Sequence, residues 1–368
     1  MAKKRVGILF GGKSVEHEVS LQSARNVYEA IDREKFEVAL IGIDRAGLWH
    51  VCDAALLGAA TSPTAELAAG TAGGALALVP GETKHALIEA GSQRGLPRLD
   101  VVFPVLHGTY GEDGTVQGLL KLANVPFVGA GVLGSAVGMD KDIAKRILRD
   151  AGIPVTRSVT LTTRTAAGVT FEELAEKFGA PFFVKPANSG SSVGVSKVHD
   201  ASGWAAARAE ALRYDRKLLV EEFIHGREIE VAVLGNDDPQ ASVPGEIIPQ
   251  HDFYSYEAKY LDENGALLRI PADLPPTVRD RVRQLAVETF TALECAGMAR
   301  VDFFVCADGR VYVNEINTIP GFTKISMYPK LWEATGLPYG QLIERLLDLA
   351  VERHRREQKL ETSYHSAG

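Results

Sequence analysis

The sequence predicts an α/β unit followed by α+β units, and three observations carry that prediction. The first third alternates strand-like and helix-like runs. The middle mixes both in a compact block. The last third holds two β-like runs joined by Asp308-Gly309, together with two long helix-like stretches. At 368 residues the chain is long enough for two or three domains with substantial cores.

In chain order, residues 6–10 read as a strand, 20–31 as a helix, 37–43 and 101–106 as strands and 116–122 as a short helix, which argues a parallel sheet with flanking helices. Residues 53–99 break the pattern. They are rich in Ala, Gly and Thr with few bulky apolar side chains, and read as an insertion with marginal structure of its own. A second unit opens with a helix over 140–151 and continues through 155, 171–178, 182–185 and 194–198 to 218–224. The third carries helices over 277–294 and 341–356, after which a polar tail is expected to fray. The divisions drawn are 1–134, 135–225, 226–357 and a tail at 358–368.

The runs 300–305 and 311–317 flank Asp308-Gly309, the signal of a two-residue hairpin. Pairing outward from it matches Ala307 with Arg310, Asp302 with Glu315 and Arg300 with Asn317. Side chains alternate with period two, so all four polar groups, Arg300, Asp302, Glu315 and Asn317, share one face. Two like charges opposite each other destabilise a ribbon unless something positive lies between them. A divalent cation is the simplest compensator, and an Asp/Glu/Asn oxygen set suits Mg²⁺. A solvated polar face is the plain alternative.

Two glycine-rich segments compete as phosphate loops. Gly7-Ile-Leu-Phe-Gly-Gly12-Lys13-Ser14 satisfies G-x-x-x-x-G-K-[ST], but Ile8, Leu9 and Phe10 belong to a strand that would have to unravel. G-x-G-x-x-G is missing there, so the dinucleotide fingerprint fails as well. Lys185-Pro-Ala-Asn-Ser-Gly190-Ser191-Ser192-Val193-Gly194 links two strands and can fold over a triphosphate; a plain flexible hairpin loop is its alternative. Lys141 begins a helix, where the dipole already favours an anion.

The remaining composition excludes other classes. A formal charge of -7 spread along the chain leaves no footprint for nucleic acid or an anionic membrane. Three cysteines, Cys52, Cys295 and Cys306, are too few and too scattered for a disulfide framework or a zinc site, and the apolar surroundings of Cys295 and Cys306 in the sequence suit reduced core thiols. The basic Met1-Ala-Lys-Lys-Arg5 is followed by an apolar run too short for a signal peptide, and nothing approaches the ~20 residues of a membrane span. A cytoplasmic location is expected by default.

Taken together, Gly11-Gly12-x-Ser14-x-Glu16, Leu106-His107-Gly108, Gly111-Glu112-Asp113-Gly114, Met139-Asp140-Lys141, Val184-Lys185-Pro186, Glu221-Glu222-Phe223-Ile224, Glu257-Ala-Lys259-Tyr260, Arg300-Val-Asp302 and Asn314-Glu315-Ile-Asn317-Thr318-x-Pro320-Gly321 resemble the ATP-grasp D-alanine–D-alanine ligases. The resemblance runs from Arg5 to about Ala350. The lysines and the Asp/Glu/Asn set are shared by other ATP-grasp enzymes, whereas the Gly-Ser-Glu block and Lys259-Tyr260 narrow it to this family. Thr109-Tyr110 departs from a more usual Pro-aromatic pair, and the 53–99 segment is particular to this chain.

What the resemblance implies is a three-domain ATP-grasp fold, a Rossmann-like parallel sheet and then two α+β domains sandwiching ATP. Lys141 and Lys185 would hold the α- and β-phosphates, with Ser191 and Ser192 in the loop closing over them. Glu221 and the backbone of Glu222 to Ile224 would meet adenine, and Glu228 the ribose. Asp302, Glu315 and Asn317 match ligands for two Mg²⁺ ions, with Mn²⁺ able to substitute. Glu16 would bind the ammonium of the first D-alanine, in a triad with Ser191 and Tyr260. Lys259, Ser326 and the backbone of Met327 would take the second substrate's carboxylate and the transferred phosphate, while Arg300 and the Gly321 N–H would form an oxyanion site. A homodimer is the family expectation. Plainer readings stand beside these: Glu16 as a helix cap, Tyr260 as loop packing, and His107 as a core histidine rather than a substrate contact. For Glu16 and Tyr260 the joint presence of their partners favours the functional reading.

The expected reaction joins two D-alanines through an acyl phosphate made from ATP, for peptidoglycan precursors. The rivals are a D-alanyl-D-lactate or D-alanyl-D-serine ligase and, from another class, a nucleotide-binding regulator without chemistry.

Overall fold

The structure, a computed structural model, describes residues 3–59, 75–81, 87–90, 95–249 and 266–361. The first sheet is built from β1 (Lys4–Gly11), β2 (Phe36–Ile43), β3 (Trp49–Cys52), β4 (Leu76–Leu78), β5 (Leu87–Glu89) and β6 (Val101–Pro104), in the order β5-β4-β3-β2-β1-β6. β1 runs parallel to β2 and β6 and is buried from Val6 onward, as a strand covered on both faces must be. The helices of this unit are α1 (His17–Ala30), α2 (Ala54–Ala59) and α3 (Thr115–Leu122). Gly7 pairs with Ala39 and Val102 inside β1, and a Cβ there would come within 2.7 Å of Leu99. That glycine serves packing and not a phosphate loop.

The described residues of the 53–99 segment carry regular structure, which its composition did not suggest. Its described residues supply α2, β4 and β5, and β3 through β5 add antiparallel strands to the edge of the sheet. The reason lies in its few bulky apolar residues: Leu57, Leu87 and Leu99 are all buried.

Helices α4 (Val132–Met139) and α5 (Lys141–Asp150) lead into an antiparallel sheet of β7 (Ser158–Thr162), β8 (Phe182–Pro186), β9 (Ser196–Val198) and β10 (Lys217–Glu222), ordered β7-β10-β8-β9. Covering it are α6 (Thr163–Ala166), α7 (Phe171–Phe178) and α8 (Ala201–Tyr214). The sequence reading passed over α8, whose buried face of Trp204, Ala207 and Ala211 is mostly alanine and gives little amphipathic signal. Ala144 and Leu148 of α5 pack with the third sheet and not the second.

That third sheet contains β11 (Arg227–Gly235), β12 (Gln240–Ala241), β13 (Gly245–Pro249), β14 (Ala266–Arg269), β15 (Gly297–Val305) and β16 (Val311–Asn317), ordered β14-β13-β11-β15-β16 with β12 beside β11. Its helices are α9 (Pro276–Ala292), α10 (Met327–Thr335) and α11 (Tyr339–Glu357). Leu342, Leu346 and Leu349 of α11 join one core with Ile8 and Phe10 of β1 and Leu234 of β11, so α11 ties the first sheet to the third.

The β15–β16 hairpin corrects one prediction and keeps two. Asp302 opposes Glu315 and Arg300 opposes Asn317, but Ala307 does not pair with Arg310. The Cys306 N–H donates to the Arg310 carbonyl at 2.9 Å, leaving a three-residue loop in which Gly309 takes the left-handed φ of +84°. Near the turn Val305 faces Val311 and Phe303 faces Val313; an irregularity between Asp302 and Phe303 then leaves Asn314 as the extra residue. The bulge restores the register beyond it and re-aims a side chain.

Candidate active site

Between the second and third sheets lies a cleft of about 350 Å³ whose walls include Lys141, Lys185, Ser192, Glu221, Glu228 and Glu315, with the chain from Glu222 to Ile224 along one side. Lys185, on β8, reaches Glu221 of neighbouring β10 at 2.5 Å and the bulged Asn314 Oδ1 at 3.3 Å. The other Glu221 oxygen meets Lys145 at 3.0 Å, and Lys145 also donates to Thr156 Oγ1 at 2.7 Å. Burial pushes the Glu221 carboxyl up, but the two lysines outweigh it and hold it below the usual range. Burial depresses Lys145. Glu222, which also lines the cleft, has its carboxylate engaged by Arg157, accepting from the backbone N–H and Nε at 2.7 Å each.

The helix-terminus argument for Lys141 is corrected. Asp140 caps α5 by accepting from the N–H groups of Asp142 and Ile143 at 3.1 and 3.2 Å, and Lys217 pairs with it at 2.5 Å. That terminus already holds its anion. The Lys141 ammonium itself reaches the Ser189 carbonyl at 2.8 Å and Glu315 at 3.2 Å.

On the hairpin, Arg300 grips Asp302 with two bonds of 2.8 Å and also meets Glu230 at 2.8 Å; Asn317 Nδ2 donates to Asp302 at 3.0 Å. The like-charge argument for a metal is therefore weaker than the sequence suggested, because Arg300 and Lys141 already compensate Asp302 and Glu315. Among the described residues no group of three His, Cys, Asp or Glu side chains suited to a metal occurs. The set here is two carboxylates and an amide, which still offers only hard oxygen ligands.

The loop from β8 to β9 carries Ser191 and Ser192, both with left-handed φ, +49° and +60°. Such backbone is costly for non-glycine residues and concentrates at ligand-binding loops. The Ser191 hydroxyl donates to Glu16, which lies just before α1 and is buried. Glu16 makes no side-chain capping bond to α1, so the helix-cap reading lapses. Its Oε2 sits in a niche of glycines: a Cβ on Gly108 or Gly190 would stand 2.5 or 2.9 Å from it.

Beyond Asn317 the chain turns through 318–321 and is clamped from the first unit. Glu112 accepts from the Gly108 N–H at 2.7 Å and the Ile319 N–H at 2.9 Å. His107 Nδ1 meets the Ile319 carbonyl at 2.9 Å and its Nε2 meets Ser23 Oγ at 3.0 Å. A carbonyl only accepts, so Nδ1 carries the hydrogen and Nε2 accepts from the serine. Burial holds His107 below its ordinary pKa. Both ring nitrogens are thus engaged by protein groups, the geometry of a positioning histidine. Burial, reinforced by nearby Glu16, pushes Glu112 up to about 8 against its two N–H donors and Arg300. Next to this loop, Ser326 Oγ accepts from the Thr323 N–H at 3.1 Å and leaves the first turn of α10, at Met327, without a side-chain cap. Lys259 and Tyr260 lie outside the described residues.

Sequence reasoning missed Lys145, Glu230 and the role of Glu112. Lys145 is four residues from Lys141 and shares its helix face; Glu230 is two from Glu228 and shares its strand face. Those spacings were the available signals.

Comparisons with known proteins fall on this geometry. The family descriptions "D-ala D-ala ligase N-terminus" and "D-ala D-ala ligase C-terminus" match residues 5–130 and 147–348. The chain is 55% identical over 365 residues to a D-alanine–D-alanine ligase of Shouchella clausii, covering 99% of each chain. It is 53% identical over 363 residues to D-alanine–D-alanine ligase A of Escherichia coli, covering 99% of this chain and 100% of that one. Among solved structures, the D-alanine-D-alanine ligase from Coxiella burnetii superposes with a TM-score of 0.84 at 41% identity, over 98% of this chain and 97% of that one. The VanG D-Ala:D-Ser ligase from Enterococcus faecalis gives 0.83 at 35% identity, over 95% and 100%.

Proposed function

The chain belongs to the D-alanine–D-alanine ligase family, and from that premise we propose that it joins two D-alanines to D-alanyl-D-alanine with ATP, through an acyl phosphate, for peptidoglycan precursors. One observation carries the reading. Ser191, on the loop that borders the lysine-bearing cleft, donates to Glu16 of the first unit, so an ammonium-binding carboxylate stands next to a place for phosphates.

A carboxylate does not condense with an amine in water, because its leaving group is poor. Phosphorylation supplies a good one. Lys141 and Lys185 hold the nucleotide's phosphates, the Glu222–Ile224 backbone and Glu221 its base, and Glu228 its ribose. Asp302, Glu315 and Asn317 would hold Mg²⁺, which when bound neutralises charge on the transferring phosphoryl group. Glu16 orients the first D-alanine. Ser326 and the uncapped start of α10 at Met327 suit the second substrate's carboxylate, since helix N-termini bind anions. Arg300 and the Gly321 N–H face the oxyanion formed when the amine attacks, where one such donor contributes about 3 kcal/mol. His107 and Glu112 fix the loop that carries Gly321. On this reading the protein works as a cytoplasmic homodimer of three-domain chains; the division at 225/226 falls between β10 and β11, whereas one at 134/135 would cut α4. Among the described residues no helix is long and apolar enough to cross a membrane.

The test is phosphate release with ATP and, in turn, D-alanine alone, D-alanine with D-serine, and D-alanine with D-lactate, with the products identified by mass. Turnover with D-alanine alone, yielding the dipeptide, is expected. Mixed products in preference to it would move the chain to a D-seryl or D-lactyl ligase, and ATP binding without turnover would make it a regulator.

A further inference from the structure

Glu221 lies between two lysines that differ in where they face. Lys185 lines the cleft, whereas Lys145, with 2% of its side chain exposed, stands behind Glu221 and forms no part of the cleft wall. Lys185 and Glu221 alone make a neutral pair. A neutral pair attracts a polyphosphate weakly, and Lys141 is balanced in the same way by Glu315. Lys197 lines the cleft further out, over the Phe223 ring at 4.4 Å, so at the Lys185–Glu221 pair itself the additional positive charge comes from the buried Lys145.

We propose that Lys145 is a positioning residue: its charge cancels Glu221 from behind, so that Lys185 presents a net positive charge to the phosphates of the bound nucleotide. The second bond of Lys145, to Thr156, fixes the ammonium on the far side of Glu221. Glu221 is in turn held rigid by both lysines, with its backbone near the C-terminal end of β10, which leads to Glu222–Ile224. Field lines from charges in a low-dielectric wall concentrate in the cleft they border. This inference rests on the nucleotide reading of the cleft given above.

The test measures dissociation constants for ATP, ADP, AMP and adenosine by calorimetry on the full chain, for the parent and for Lys145→Met, Lys145→Arg and the double variant Lys145→Met with Glu221→Gln. The loss in Lys145→Met should grow with phosphate number, on the order of 10-fold for ATP and under about 2-fold for adenosine. Lys145→Arg should retain the parent's series. The double variant leaves no buried carboxylate uncompensated, so it should fold even if the single variant does not, and its ATP-to-adenosine affinity ratio should return towards the parent's. Equal losses for all four ligands, or a double variant with the single variant's ratio, would overturn the proposal and leave Lys145 a packing residue. A parent whose affinity is indifferent to phosphate number would instead overturn the nucleotide reading itself.

Discussion

Glu221 and Glu112 are both buried carboxylates at opposite ends of the same site, and they titrate in opposite directions. Glu221 touches two ammonium groups and is held below the usual carboxylate range. Glu112 touches two backbone N–H groups, stands near Glu16, and is pushed up to about 8. Burial acts on both alike, so the partners decide: full positive charges overcome desolvation, whereas two peptide dipoles opposed by a neighbouring carboxylate do not. On the proposed reading, the nucleotide end of the site is organised by charge, and the acyl end by hydrogen bonds to a loop.

The largest expected effect breaks the charged end. Glu221→Leu leaves Lys145 buried without its counter-ion, which should cost about 3–5 kcal/mol of stability and raise the KM for ATP. Urea denaturation and initial rates check it. A loss under about 1 kcal/mol would show that Thr156 and nearby groups already satisfy Lys145, and the contrast with Glu112 would collapse.

A smaller effect comes from the other carboxylate and depends on pH. Around neutrality Glu112 keeps its proton in the folded chain, while the unfolded chain, near the ordinary 4.5, has lost it. Its stabilising contribution is therefore full below about pH 4.5 and drains away as pH rises to about 8. Between pH 6 and 8 the parent should lose about 2–3 kcal/mol from this source, at up to ~1.4 kcal/mol per unit, with Glu16 and Arg300 as the charged neighbours that modulate it. Glu112→Gln should flatten the slope. Denaturation midpoints measured across that range for both proteins decide the matter, and parallel curves would mean that Glu112 is ionised throughout.

How much of this was legible in the sequence follows from the range of the interactions. The Asp302–Glu315 pairing came from turn arithmetic and the two-residue period, both local. The bulge at Asn314 was not legible, because the three-residue loop shifts the register by one and the bulge shifts it back, leaving the far pairing the same either way. Glu112 stood in a quoted motif, but its partner Ile319 is 207 residues away, and no local pattern announces such a bond. Lys145 looked like one more lysine on an amphipathic helix until β10 placed Glu221 against it. The second and third units were read as successive blocks, yet α5 packs on the third sheet, since helix packing follows apolar faces and not sequence order.

The smallest expected effect sharpens the comparison by touching the acyl end without any change of charge. Ser23 donates to His107 Nε2, and that bond keeps the hydrogen on Nδ1, where it serves the Ile319 carbonyl. The same hydroxyl oxygen accepts, at 3.4 Å, from the N–H of Phe322, the residue after Gly321. Ser23→Ala leaves a buried ring nitrogen without a donor, which should cost about 1–2 kcal/mol, and frees the imidazole to change tautomer. Ile319 would then be held by Glu112 alone, and Gly321, two residues on, would lose part of its fixed aim. An oxyanion donor matters only once charge develops, so kcat for dipeptide formation should fall while the KM for ATP stays put. The nucleotide end, held by ion pairs on β8 and β10, shares no side chain with this clamp. Steady-state kinetics of Ser23→Ala with ATP and D-alanine varied separately is the measurement. A KM for ATP that shifts as much as kcat would mean that the two ends are mechanically one, and that the division between a charged end and a hydrogen-bonded end describes titration only.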